Sequence, residues 1–307
     1  MDYLLLIIGF VLLIKGADWF VDGSSSVAKR LRVPTLIIGM TIVAMGTSAP
    51  ELAVSTAASL KGSNEIAISN VVGSNLFNLM VVCGACALFK PLTVKMSTLK
   101  VEFPISILAA GLLLVMGYLG MKIGRIDGVI LVILFIAFLV WMVISAKKGR
   151  VEEEEEVKVM PVWQCLLCIV VGIAAIVIGG DFVVDSASNI AASFGLSENL
   201  IGLTIVAFGT SLPELVTSLV AAKKGEVDMA LGNVIGSNIF NILLIIGVAA
   251  TVSPMAMIME NIIDAIILIV MSVIVLIFAW RKQSINRIEG IIMLVMYAAY
   301  IVFICMR

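Results

Sequence analysis

The feature that most constrains this chain is that it contains one unit twice. Shifting the sequence by 163 residues lays Gly46-Thr-Ser-Ala-Pro-Glu51 on Gly209-Thr-Ser-Leu-Pro-Glu214. The same shift lays Gly73-Ser-Asn-Leu-Phe-Asn78 on Gly236-Ser-Asn-Ile-Phe-Asn241, and Asp18 and Asp22 on Asp181 and Asp185. Between 38–59 and 201–222, 14 of 22 positions are identical. One residue of drift then aligns Arg125-Ile-Asp-Gly with Arg287-Ile-Glu-Gly. Similarity at a fixed offset over this length means two copies of one structural unit.

Each copy is written in residues that dissolve in lipid. The chain is 62% hydrophobic and 13% charged, against about 45–50% and about 25% in a soluble domain. Apolar stretches of about 20 residues recur, the length a helix needs to cross a bilayer. They are continuous rather than alternating, so they read as helices and not as strands of a barrel. Spans are expected near 3–27, 34–60, 66–89, 103–121 and 126–146, then 163–189, 197–222, 228–252, 261–280 and 288–305. Five spans per copy is an odd number, which forces the second copy into the membrane upside down. The expected fold is an all-α integral membrane protein of ten transmembrane helices, built as two inverted five-helix repeats. The first repeat covers 1–146, a connector covers 147–162, and the second repeat covers 163–307. Inverted repeats of this kind are typical of secondary transporters, with substrate bound at the midplane between them.

Basic residues orient the chain. The loops after the odd-numbered spans carry 15 Lys/Arg, whereas the opposite face has Lys61, Lys122, Arg125 and Arg307, with Lys15 inside the first span. The positive-inside rule then places both termini outside the cytoplasm, in the inner (plasma) membrane of the cell. The start, Met1-Asp-Tyr, lacks a basic region, and no small-residue cleavage site follows, so the first apolar segment reads as a retained span. The connector holds the run Glu152–Glu156, a solvated linker or a weak cytoplasmic calcium sensor. Two CxxC pairs, Cys83/Cys86 and Cys165/Cys168, lie inside apolar runs and read as packing residues. The net charge of −1 says little about partners. The lipid bilayer and small cations are the partners expected, with no nucleic acid, no obligatory protein partner and no cofactor.

The chemistry gathers at mid-membrane. An ionised side chain there costs ~3 kcal/mol or more and is functional by default. Glu51 and Glu214 each sit midway along a span, just after a proline. Pro50 and Pro213 cannot donate the helical hydrogen bond to the carbonyl four residues back, so each opens its turn. Freed carbonyls are tolerated at that depth only where they line a cavity or bind something. Thr47, Ser48 and Glu51 fall on one helical face, as do Thr210, Ser211 and Glu214. Spans three and eight add stripes at intervals of four, Asn70/Ser74/Asn78 and Asn233/Ser237/Asn241, widened by Asn75 and Asn238. All of these are hard oxygen donors. Two carboxylates among neutral oxygens suit calcium, which takes 6–8 such ligands in flexible geometry; softer metals favour Cys or His. Sodium also fits carbonyl and hydroxyl oxygens. An empty centre leaves two buried carboxylates facing one another, which favours refilling by sodium or protons before the site turns around. The bland alternative for the Ser and Asn positions is helix packing, which small and polar residues also mediate. Asp18, Asp22, Asp181 and Asp185 are expected in interfacial or packing roles, with ion access as the lesser reading.

At these motifs the chain resembles the sodium/calcium exchanger branch of the cation/calcium antiporter superfamily, particularly its prokaryotic members. The two alpha repeats of that family correspond to 38–84 and 201–247, and the resemblance extends over essentially the whole chain. It implies four ion sites in a diamond between spans two, three, seven and eight, with calcium and sodium as the transported ions. Carried over by position, Glu51 and Glu214 would bind calcium directly and help bind sodium. Thr47, Ser48, Thr210 and Ser211 would supply hydroxyl or carbonyl oxygens, and Ser74, Asn78, Ser237 and Asn241 would complete the cluster. The carbonyls of Ala44 and Ala207 would serve the outer positions. Spans one and six would slide across the other eight. Some prokaryotic relatives and the potassium-dependent exchangers have aspartate where this chain has Asn241, which argues against potassium dependence here.

Three rival readings remain. A proton/calcium antiporter would use the same glutamates. A passive channel would pass calcium without a counter-gradient. An intramembrane hydrolase would need a nucleophile with a base or a metal pair; the chain has no histidine and no HExxH, and its serines lack an obvious base.

Overall fold

The computed structural model describes residues 1–61, 64–148, 160–195 and 207–306. The run Glu152–Glu156 and residues 196–206 lie outside these. The described chain is almost entirely helical. Helix α1 (Asp2–Leu31) is followed by a bent pair, α2 (Thr35–Thr47) and α3 (Ala49–Leu60), then by α4 (Ala67–Phe89), α5 (Met96–Tyr118) and α6 (Arg125–Lys147). The second half begins with α7 (Val162–Ser193) and the short α8 (Ala207–Gly209). It continues with α9 (Leu212–Lys223), α10 (Val227–Val252), α11 (Met259–Lys282) and α12 (Arg287–Met306). Eight of these are long and apolar enough to cross a membrane, and the α2–α3 pair, bent by 49°, makes a ninth. The span expected at 197–222 is described only in its later part, α8 and α9.

Most boundaries fall within a few residues of expectation. The exceptions have local causes. Helix α1 runs past the apolar stretch through Lys29 and Arg30, basic residues suited to a helix C-terminus, and stops where Arg32 turns left-handed at φ 54°. Helix α5 starts seven residues early because a short turn, Met96–Lys100, precedes its main segment and meets it at a distorted Val101.

Two tiny antiparallel strand pairs show how the halves interlock. Strand β1 (Leu92–Thr93) pairs with β4 (Ser284–Ile285), and β2 (Lys122–Ile123) pairs with β3 (Met255–Ala256). The repeat carries β1 onto β3 and β2 onto β4, so the two pairings are copies of each other, each joining one half to the other. The loops of β1 and β4 follow spans three and nine; those of β2 and β3 follow spans four and eight. Pairing odd with odd and even with even is what an inverted ten-span chain requires.

Close helix crossings repeat the exchange. Helix α12 meets α4 where a Cβ added to Gly290 would stand 2.7 Å from the Gly84 carbonyl oxygen. Helix α6 meets α10 where a Cβ on Gly128 would stand 2.7 Å from the Gly247 carbonyl oxygen. Small residues of this kind let helix backbones approach in lipid. Helices α4 and α10 are the most deeply buried spans. Outside this frame α1 makes its most extensive packing with α7. Their contact runs along small residues: Gly9 against Gly179, Gly16 against Gly172, Gly23 against Cys165 and Cys168. The CxxC residues are therefore packing groups, with Cys83, Cys86 and Cys165 buried.

Candidate functional site

Helices α2 and α3 are separated by Ser48, whose backbone (φ −84°, ψ 10°) leaves the helical region. Pro50 opens α3, where its missing N–H costs nothing because the first turn has no acceptor for it. The copy repeats this at Ser211 (φ −95°, ψ 4°) and Pro213. Each break sets Glu51 or Glu214 in the first turn of the following helix, and both carboxylates are completely shielded from solvent. The expectation that proline opens these spans at mid-depth is met at the residue before the Ala-Pro or Leu-Pro step.

The serines at the breaks do not serve their own half. Ser48 Oγ donates to Glu214 Oε1 at 2.7 Å, and Ser211 Oγ lies 3.1 Å from Glu51 Oε1. Each carboxylate is thus held by the hydroxyl at the break in the opposite repeat. Ser211 also shares a hydrogen bond with the hydroxyl of Ser74 at 3.1 Å. Thr47 Oγ1 donates to Asn233 Oδ1 at 3.1 Å, and Asn233 Nδ2 donates onward to Ser218 Oγ at 2.9 Å. In the first half Asn70 Nδ2 donates to Ser55 Oγ at 3.0 Å.

Helices α4 and α10 each contain a widened π-type turn, at Asn78–Val82 and Asn241–Ile246. Such turns recur at functional sites, and each here begins on a buried asparagine. Asn75 and Asn238 clasp the two helices reciprocally: each side-chain amide donates to the other's backbone carbonyl at 3.2 Å. Asn241 Nδ2 donates to Asn75 Oδ1 at 3.0 Å.

What remains is a set of buried oxygens with no hydrogen-bond partner among the described residues. Glu51 Oε2, Glu214 Oε2, Asn78 Oδ1, Asn241 Oδ1, Ser237 Oγ and Thr210 Oγ1 belong to it. A buried polar atom left unpaired costs about 1–3 kcal/mol, so each of these calls for a partner from outside the protein's own hydrogen bonds. Oxygens of this kind, two of them from carboxylates, have the hard-donor chemistry that calcium takes. Among the described residues no cluster of three or more His, Cys, Asp or Glu exists. A cation bound among these residues would draw on two carboxylates and on neutral oxygens.

Of the site residues expected from sequence, Thr47, Ser48, Glu51, Ser74, Asn78, Ser211, Glu214, Ser237 and Asn241 are buried. Hydrogen bonds join Ser48 to Glu214, link Ser211 to Glu51 and Ser74, and tie Asn241 to Asn75. Thr210 is partly exposed with its hydroxyl oxygen buried. The Ala44 carbonyl accepts the Ser48 N–H at 3.0 Å, and Ala207 opens α8. Sequence reasoning passed over Ser55 and Ser218. Each sits one helical turn beyond its glutamate and is preserved by the repeat, a signal that could have found them. Asp18 and Asp22, expected at an interface, both pair with Lys224 Nζ, at 2.7 and 2.6 Å. Among the described residues, Asp181 and Asp185 make no corresponding ion pair with Lys61, the repeat counterpart of Lys224.

A family model described as sodium/calcium exchanger protein matches residues 1–144 and 165–306. The sodium/calcium exchanger MaX1 of Methanosarcina acetivorans is 33% identical over 341 residues, covering 98% of this chain and 97% of its own. CaxA of Alkalimonas amylolytica is 40% identical, covering 96% of this chain and 95% of its own. A solved structure of the sodium-calcium exchanger NCX_Mj, soaked with zero Na+ and Ca2+, is similar at a TM-score of 0.87 and 34% identity. It covers 99% of this chain and 98% of that one.

Proposed function

This chain belongs to the sodium/calcium exchanger protein family, and on that premise we propose that it exchanges calcium for sodium by alternating access at the Glu51–Glu214 centre. It is a membrane transporter and not an enzyme. The observation that supports the site assignment is the pair of fully buried carboxylates, each bonded to the break serine of the other repeat and each with one oxygen unpartnered among the described residues. Glu51 and Glu214 bind calcium directly, and their two charges match its own. Asn78, Asn241, Ser237 and Thr210 supply neutral oxygens, while Ser48, Ser74, Ser211 and Thr47 hold the shell in place and add hydroxyl oxygens. The carbonyls of Ala44 and Ala207 serve outer positions. Sodium ions replace calcium at the same oxygens, so the two occupancies exclude one another. The repeats are 1–146 and 163–307, joined by a connector, and both termini face away from the cytoplasm in the inner membrane.

Alternating access follows from the broken symmetry of the copies. Lys224 is tied to α1, whereas its counterpart Lys61 makes no such ion pair with α7 among the described residues. Thr47 reaches Asn233, whereas Thr210 Oγ1 has no partner among the described residues. Exchanging the two sets of contacts between halves converts one facing state into the other. Helices α1 and α7, packed on each other along their glycines, move as a pair over the frame.

The test is calcium uptake into proteoliposomes containing the purified protein and loaded with sodium. Uptake is expected with an outward sodium gradient and not with potassium-loaded vesicles. Uptake driven by a pH gradient in sodium-free buffer, indifferent to sodium, would replace sodium with protons as the coupling ion.

A further inference from the structure

The ion site contains two asparagines, and an asparagine is useful to a cation at only one of its ends. The side-chain amide is nearly symmetric in shape, with a carbonyl oxygen that binds cations and an NH2 that repels them. Something must decide which end faces the ion. For Asn241 a chain of hydrogen bonds makes that decision without ambiguity. It begins at the Asn238 backbone carbonyl, which can only accept. The Asn75 atom 3.2 Å from it must therefore be the donor Nδ2. The other end of the Asn75 amide is then Oδ1, which can also only accept. The Asn241 atom 3.0 Å from it must be Nδ2. The end of Asn241 left over is Oδ1, and it is one of the buried oxygens without a partner among the described residues.

We propose that Asn75 is a positioning residue for ion binding: by accepting the Asn241 NH2 it keeps the Asn241 carbonyl oxygen turned toward the cation. Both ends of the Asn75 amide are engaged in hydrogen bonds in this arrangement, so its part is to hold Asn241. Its backbone carbonyl accepts Asn238 Nδ2 at 3.2 Å, so the unit that holds Asn241 is itself anchored across the two halves. The copy of this chain runs from Asn238 to Asn78 and stands open. Asn238 Oδ1 and Asn78 Nδ2 are both buried without partners among the described residues. Only one of the two asparagine ligands is oriented in this state, the same one-sidedness that Lys224 and Thr47 show.

The role of Asn75 rests on the calcium site proposed above, and it has a consequence that a merely structural Asn75 does not. Removing Asn75 frees the Asn241 amide to turn its NH2 toward the ion. A carboxylate at position 241 has oxygen at both ends and needs no such guidance. Binding of radiolabelled calcium to purified full-length protein reads this directly, whichever ion drives transport. Asn75→Ala, and Asn75→Ser as a second variant that keeps a small polar group in the clasp, are expected to weaken calcium binding about five- to tenfold, the worth of one hydrogen bond. In an Asn241→Asp background the same substitutions are expected to change calcium binding less than about twofold. A weakening of equal size in both backgrounds would mean that Asn75 acts through packing, and overturns the proposal. So does wild-type affinity in whichever of the two variants elutes as a monodisperse peak. If the unmodified protein binds no calcium at all, the failure lies instead with the site on which the role of Asn75 stands.

Discussion

At the scale of single residues, the proposed site rests on two carboxylates, and among the described residues no third Asp or Glu joins them in a metal-holding group. Glu51→Gln and Glu214→Gln each keep the shape and one oxygen but halve the formal charge offered to calcium. Each is expected to abolish calcium exchange in proteoliposomes while the protein still elutes as a monodisperse peak. Near-normal exchange by either would remove that residue from the site. That both glutamates lie buried beside a helix break was legible in the sequence, because each is a charged residue at mid-span that follows a proline and is preserved by the repeat. What their neighbours do was not legible. Ser48 lies three residues before Glu51 on the same helical face, and helical spacing assigns the two to each other. Its hydroxyl binds Glu214 instead, 166 residues away, because the helix breaks at Ser48 itself and the preceding turn points across the interface. The same limit hid the Asn75–Asn238 clasp: periodicity reports which side chains share a face of one helix, and says nothing about what that face meets.

At the scale of elements, the crossings explain why glycine sits where it does. Helix α2 approaches α10 so closely that a Cβ on Gly39 would stand 2.5 Å from the Met229 carbonyl oxygen, and one on Gly232 would stand 2.4 Å from that of Leu36. Neither contact involves a flexible side chain that could yield. Gly39→Ala and Gly232→Ala are expected to destabilise the protein by about 1–3 kcal/mol, as overpacking does, read as a lowered melting temperature in detergent. Gly111 has open space where its Cβ would be, so Gly111→Ala is expected to leave the melting temperature unchanged or slightly raised, since alanine is the better helix former. The existence of most spans and most of their ends could be read from apolar run length, and a few ends could not. Helices continue past the apolar stretch wherever backbone hydrogen bonds can still be made, as α1 does through Lys29 and Arg30.

At the scale of the whole molecule, the alternating access proposed above makes the described structure one of two facing states. The tie between Lys224 and Asp18 and Asp22 involves groups about a quarter to two-fifths exposed, so solvent screening limits its worth to about 1 kcal/mol or less. That is enough to bias a balanced equilibrium. Lys224→Gln is expected to shift the population toward the opposite-facing state by about two- to fivefold, and Lys61→Gln to shift it the other way. A cysteine introduced at Ser25, buried here and bonded to Glu226, reports the change. A polar thiol reagent should label it faster in the Lys224→Gln background and no faster with Lys61→Gln. Equal rates in all three would show that the clamp has no influence on facing.

The strand pairs carry a last consequence. Neither β1–β4 nor β2–β3 joins neighbours in the chain; each laces a loop of one repeat to a loop of the other, once on each face of the membrane. Together with the exchanged crossings of α12 on α4 and α6 on α10, they make the protein in effect a dimer of two unlike subunits that share a peptide bond. Genes encoding 1–150 and 158–307 separately, expressed in one cell, should yield two polypeptides that copurify through a tag on either one and exchange calcium together, though neither fragment does so alone.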